Sequence, residues 1–290
     1  MRKIRKYIIL FCFIISTLFL YIGHNIMIYV QPKITFISPH AAPKPFVAHP
    51  MLQCFKQEQS VPRILQNRVK LVVWNLHKGE DAGWEQALSH YAKNKDFILL
   101  QEASHIIETQ THLPQDFPSR LYVSSFAYRG KESGVAMLSR YIPQIYCVGT
   151  GKEPWIRIPK VGMAMLFPLQ DGSSLLMINI HLVNFELNTT YYKQQINQMF
   201  DLIKHHTGPV IFGGDLNAWS KARYQFLKTL AQKYQLQEVH FNPDYRLRFM
   251  RKPLDFVFIR GLQVISATTD KTDSSDHNPL LLDLEFLPQE

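Results

Sequence analysis

Asp215 and Asn217 stand one residue apart in "VIFGGDLNAWS", Val210 to Ser220, where an apolar run passes through two glycines into polar side chains. Other apolar runs end the same way. Asn75 closes "VKLVVWN", Glu102 closes "FILLQE", His181 closes "LLMINIH", and Asp255 lies at the head of "LDFVF". Asp276 and His277, in "SDH", come just before "NPLLLDLEF". Each of these is an ordinary strand end by itself, and Asp-x-Asn is a common turn or cap, suited to a helix starting near Ser220. Together they place only Asn, Asp, Glu and His at successive strand ends. Hard oxygen donors with imidazoles, and no cysteine among them, suit a magnesium or manganese ion with proton-transfer partners beside it.

The elements that would carry these residues follow from the spacing of apolar positions. Some strands alternate and others are wholly apolar, which means burial on both faces. Trp84, Ala87, Leu88 and Tyr91 share one face of a helix over Gly83 to Lys93, and Tyr192, Ile196, Met199 and Ile203 do so over Thr189 to His206. Many short strands with helices interspersed predict an α+β fold of four layers, α/β/β/α: two packed mixed sheets flanked by helices. No boundary interrupts residues 61–290, which are read as one domain.

The chain has 290 residues and a formal net charge of +9. Residues 61–290 hold 25 basic against 22 acidic side chains, so most of the excess is N-terminal. A polyanion-binding footprint is therefore not the reading. Arg2, Lys3, Arg5 and Lys6 precede the uninterrupted apolar run Tyr7 to Ile22, and Ile26 to Val30 could complete a membrane span. Residues 1–30 are read as an uncleaved signal anchor, a single-pass transmembrane helix. Its basic flank stays cytoplasmic and the catalytic domain lies extracytoplasmic, periplasmic in a Gram-negative cell. A cleaved signal peptide is the rival, with Ala41-Ala42 downstream but no good small-x-small site close behind the run. Five prolines in residues 31–60 predict an extended stalk. Cys54 and Cys147 either pair in an oxidising compartment or stand as two core thiols.

The ordered set "WN", "LQE", "NIHLVN", "GGDLNAW", "LDFVF" and "SDHNPL" resembles the endonuclease/exonuclease/phosphatase superfamily, the deoxyribonuclease I-like fold, over roughly residues 68–286. "VWN" with Lys78 nearby, "SGVAMLS", "GDLNAWS" and "RKPLDFVFIRGL" look closest to its bacterial YafD-like branch. The resemblance implies a magnesium-dependent, or manganese-dependent, hydrolase of phosphodiesters, with no covalent intermediate. Glu102 would be the main metal ligand with Asn75 beside it, and Asp276 would complete the metal or water shell. Asp215 would hold or deprotonate the attacking water, Asn217 would hydrogen-bond the scissile phosphate, and His181 would contact that phosphate from the other side. Asp255 and His277 would form a carboxylate–imidazole pair.

His77 departs from the abasic-site endonucleases, which carry an acidic residue there, so the number of metals stays open. Arg246, Arg248 and Arg251, with Lys252, crowd the approach to Asp255 and are read as a grip on substrate phosphates, a solvated basic loop being the alternative. The expected partners are a nucleic acid or a phospholipid head group as substrate and a membrane through the N-terminal helix, with the protein a monomer. A catalytically inactive, membrane-anchored binding module on the same fold is the alternative function.

Overall fold

A computed structural model describes residues 2–40, 42–47, 49–104, 117–154, 158–186 and 188–288. Ala41, half of the pair considered for cleavage, lies outside them. Helix α1 (Arg2–Asn25) runs directly into β1 (Ile26–Ile37). Seven strands form the first sheet, in the order β1, β6 (Ser119–Tyr128), β7 (Lys131–Ser139), β5 (Phe97–Ala103), β4 (Arg68–Asn75), β17 (Leu280–Phe286), β16 (Leu262–Thr269). The second has eight: β12 (Gln237–Glu238), β15 (Asp255–Arg260), β11 (Val210–Asp215), β10 (Ser174–His181), β9 (Pro159–Pro168), β8 (Ile145–Lys152), β3 (Gln53–Lys56), β2 (Lys44–Phe46). A small hairpin, β13 (Arg248–Phe249) and β14 (Lys252–Pro253), precedes β15.

The wholly apolar runs are apolar because both faces of each sheet are covered. In β4, Val69, Leu71 and Val73 enter the core between the sheets, while Val72 and Trp74 face α2 (Trp84–Ala92). In β10, Leu175 and Met177 point into the inter-sheet core. Leu176, Ile178 and Ile180 pack with α3 (Thr190–Lys204) and α4 (Lys221–Lys233). The order of layers is therefore helix, sheet, sheet, helix, as the sequence pattern predicts. Fully burying each such Val, Leu or Ile contributes roughly 1.5–3 kcal/mol.

Polar residues bind the two sheets together near their carboxyl ends. Asn179 of β10 is fully buried; its Nδ2 donates to the carbonyls of Leu100 (3.0 Å) and Ala136 (2.8 Å) in the first sheet. Its Oδ1 accepts from Gln101 Nε2 at 2.6 Å. This clamp fixes the depth at which the ends of β5 and β10 face each other.

Two expectations for the N-terminal region differ from what is observed. Residues 31–60 are not a free stalk: they supply part of β1 and all of β2 and β3, and Cys54 forms a disulfide with its cross-strand neighbour Cys147. Pro32 falls at a register shift in β1, an edge strand, where a missing N–H costs no ladder bond. Ile26 to Val30 begin β1, with Ile26 opposite Tyr128, instead of extending α1. Among the described residues no helix is long and apolar enough to cross a membrane.

Candidate active site

The ends of β4, β5, β10 and β11 and the start of β15 meet at one edge of the sandwich. β10 and β11 are parallel with His181 opposite Asp215, and β11 and β15 are antiparallel with Asp215 opposite Asp255. The glycine before Asp215 is required. A Cβ on Gly214 would stand 2.1 Å from the Ile180 carbonyl oxygen, and its φ of +138° lies outside the range of other residues. Glu102 and Asn217 each hold a φ of +46°, a left-handed backbone unusual outside glycine. Such strain gathers where the surroundings over-determine a side chain's position.

Asn75, Glu102, His181, Asp215, Asn217, Asp255 and His277 converge at this edge. Asn75 Nδ2 donates to Asp215 Oδ2 at 3.0 Å, and its Oδ1 accepts from the His77 amide. The Asn217 amide N–H donates to Asp215 Oδ1 at 3.1 Å, and Asn217 Nδ2 donates to the Leu182 carbonyl. Ser220 caps α4 by accepting from the Arg223 amide. The buried Arg223 then donates to the carbonyls of Val183 and Asn217, tying both loops to that helix. Asp276 is more exposed, at the rim, with Oδ1 3.9 Å from His77 Nδ1.

Charge is distributed unevenly across the cluster. Burial alone would raise the Glu102 carboxyl, but His181, Lys160 and Lys78 outweigh it and hold it at about 2. Lys78 Nζ lies 2.9 Å from its Oε2. Burial, assisted by Lys160, pushes His181 down to about 4, so its ring is neutral near pH 7. Lys160 Nζ donates to His181 Nε2 at 3.0 Å. Burial raises Asp215 above the usual carboxylate range. His277 behaves oppositely: burial would lower it, but Asp255, Asp215 and Asp276 carry it to about 10.

Asp215, Asp255 and His277 offer donor atoms within 4.8 Å of one another. His277 Nδ1 and Asp255 Oδ2 are joined at 2.7 Å, which leaves Nε2 as the ring nitrogen not taken by that carboxylate. Glu102, with Asp276 at the rim and Asn75 at the end of the neighbouring strand β4, offers the oxygen donors that a hard divalent cation requires.

The basic cluster divides. Arg246 is buried, donates to both Asp244 oxygens and to the Asp255 carbonyl, and stacks on Phe241 and Phe256. It braces the start of β15 and is not a free phosphate grip, since its guanidinium nitrogens are all engaged. Arg248 pairs with Asp244 at 2.6 Å but stays half exposed. Arg251 is exposed on the hairpin turn. Lys160 is the site residue that sequence reasoning missed. At the head of β9 it looks like a solvated strand end, and only antiparallel pairing with β10 brings it to His181.

A model of the "Endonuclease/Exonuclease/phosphatase family" matches residues 72–277. A UPF0294 protein of Vibrio cholerae serotype O1 is 36% identical over 258 residues, covering 89% of this chain and 90% of that protein. Among solved structures, the human nocturnin catalytic domain with bound sulfate superposes with a TM-score of 0.59 at 16% identity, covering 78% of this chain and 97% of that one. D. rerio TDP2 complexed with single-strand DNA product gives a TM-score of 0.55 at 14% identity, covering 76% and 100%. At such identities the two structures speak for the fold.

Proposed function

The chain belongs to the endonuclease/exonuclease/phosphatase family, and from that premise we propose that it is a metal-dependent phosphodiesterase that hydrolyses its substrate by direct attack of water. The observation that carries this reading is the convergence of ionised Glu102, buried Asp215 and the Asp255–His277 pair at one sheet edge. Every member of that constellation is present, which an inactive binding module would have no reason to keep.

Glu102, with Asn75 and with Asp276 from the rim, would hold a magnesium or manganese ion, which when bound polarises the phosphoryl oxygens. Asp215, with its raised proton affinity, holds the attacking water and accepts its proton. Asn75 and the Asn217 amide fix the orientation of that carboxylate. Asp255 takes His277 Nδ1, so Nε2 is the nitrogen left for substrate. As an imidazolium it binds a non-bridging oxygen or protonates the leaving group. Lys78 and Lys160 add fixed positive charge beside Glu102.

The substrate class is a nucleic-acid or phospholipid phosphodiester. We place the domain outside the cytoplasm as a membrane protein. The basic N-terminus before an apolar run supports this, as does the Cys54–Cys147 disulfide, a bond rare in reducing compartments. The test is hydrolysis of bis-p-nitrophenyl phosphate by the full chain with and without magnesium. Turnover lost in Asp215→Asn supports the reading, and turnover equal in that variant overturns it.

A further inference from the structure

We propose that the catalytic edge faces a lipid bilayer and that the substrate is a phospholipid carried in it; this deepens the phosphodiesterase reading and rests on it. Three separate parts of the chain bring exposed apolar side chains to that edge. The first is the hairpin tip just before Asp255, where Phe249 is 50% and Met250 69% exposed. Phe185, 56% exposed, follows β10 and His181. With Trp219 and Leu254 these three line a hollow of about 410 Å³ that reaches Asn217.

The third is α1, and strand register places its exit. Ile26 lies opposite Tyr128, Tyr128 opposite Lys131 across the β6–β7 turn, and Gly134 opposite Ala103, the neighbour of Glu102. The helix therefore leaves the sandwich on the side of the catalytic residues. Arg129 Nη2 donates to Tyr21 OH there, at 2.6 Å. On α1, Tyr7, Ile9, Phe11, Phe13 and Ile14 are all exposed.

Charge fits the same occupant. Around the turn the chain presents Arg248, Arg251 and Lys252, none of them buried, with Arg248 paired to Asp244, and Arg251 shares the hairpin turn with Met250. An apolar tip flanked by Arg and Lys suits an anionic interface, with the apolar groups among acyl chains and the cations among phosphates. Both turn residues hold positive φ, +47° and +67°, where Asn-Gly would be relaxed. A polyanion such as DNA fits less well, because residues 61–290 hold nearly balanced charge and it would have to lie against α1 and Met250.

The test uses the full chain with its free Cys12 replaced by Ser, reconstituted into phosphatidylcholine vesicles containing phosphatidylglycerol. An environment-sensitive fluorophore is attached at Met250→Cys or, as control, at Leu65→Cys, which is exposed beside the opposite end of β4. The inference requires that nitroxide lipids quench the label at 250 and not at 65, and that Met250→Asp lose about tenfold on vesicle phospholipid relative to bis-p-nitrophenyl phosphate. An unquenched label at 250 in vesicle-bound protein overturns it. So does a label at 250 that responds to single-stranded DNA and not to lipid. Absence of turnover on bis-p-nitrophenyl phosphate would strike the phosphodiesterase reading instead, and the quenching result would still report which face meets lipid.

Discussion

His277 Nδ1 lies 2.7 Å from Asp255 Oδ2, and both side chains are buried at the edge where the two sheets end. The Trp74 indole donates to the His277 carbonyl at 2.8 Å, so the imidazole is held from the first sheet and its carboxylate from the second. A pair built across the sandwich in this way is expected to work as one unit.

Replacing Asp255 by Asn or His277 by Ala is expected to lower kcat/KM on a phosphodiester by about 10²-fold or more, in the range of a lost acid–base partner. The double variant should lose little beyond the worse single change, because residues that act as a unit are not additive. Steady-state kinetics on the four proteins checks this, and multiplicative losses would argue against the pairing.

The same pair makes stability depend on pH. The folded His277 holds its proton to about 10, against an unfolded value near 6.5. Its contribution is fully present below the unfolded value. It is lost as pH rises between the two, where the unfolded chain releases the proton first. Urea midpoints measured from neutral to alkaline pH should fall in the native chain and fall less in Asp255→Asn, which lacks the carboxylate that raises the ring.

Asn179→Ala should destabilise the fold by about 2–4 kcal/mol, since it leaves a small cavity and deprives Gln101, Leu100 and Ala136 of buried partners. Denaturant unfolding gives the number. A change under about 0.5 kcal/mol, the size of a surface substitution, would show that the clamp carries no load.

Reducing the Cys54–Cys147 bond, which closes a span of 93 residues, should cost about 2–5 kcal/mol. Thermal unfolding with and without dithiothreitol measures it. The bond joins β3 to β8, away from the catalytic edge, so any turnover should survive reduction below the new melting temperature.

Much of this was legible in the sequence because burial and chemistry wrote different patterns. β4 and β10 are apolar at most positions between their ends, Lys70 and Asn179 excepted, since each lies between a second sheet and a helix, and the polar residues that end them stand out against that background. What was not legible depends on partners far along the chain. Arg246 reads as a phosphate grip until Asp244 and the Asp255 carbonyl are seen to use its donors. Lys160 has no local signal, because its meaning comes from β10. Prolines in residues 31–60 suggested a stalk, yet at a sheet edge they are compatible with pairing, and β1 pairs with β6 despite Pro32.

The central claim is that Glu102 holds the cation on which phosphodiester hydrolysis depends. The measurement is the rate of bis-p-nitrophenyl phosphate hydrolysis by the full chain as magnesium is titrated in from an EDTA baseline, for the native protein and for Glu102→Gln. The account requires a rate that rises with magnesium in the native protein and stays at background in the folded variant, which keeps the shape of the side chain but not its charge. Full turnover in EDTA, or a magnesium response in Glu102→Gln equal to the native one, would contradict it.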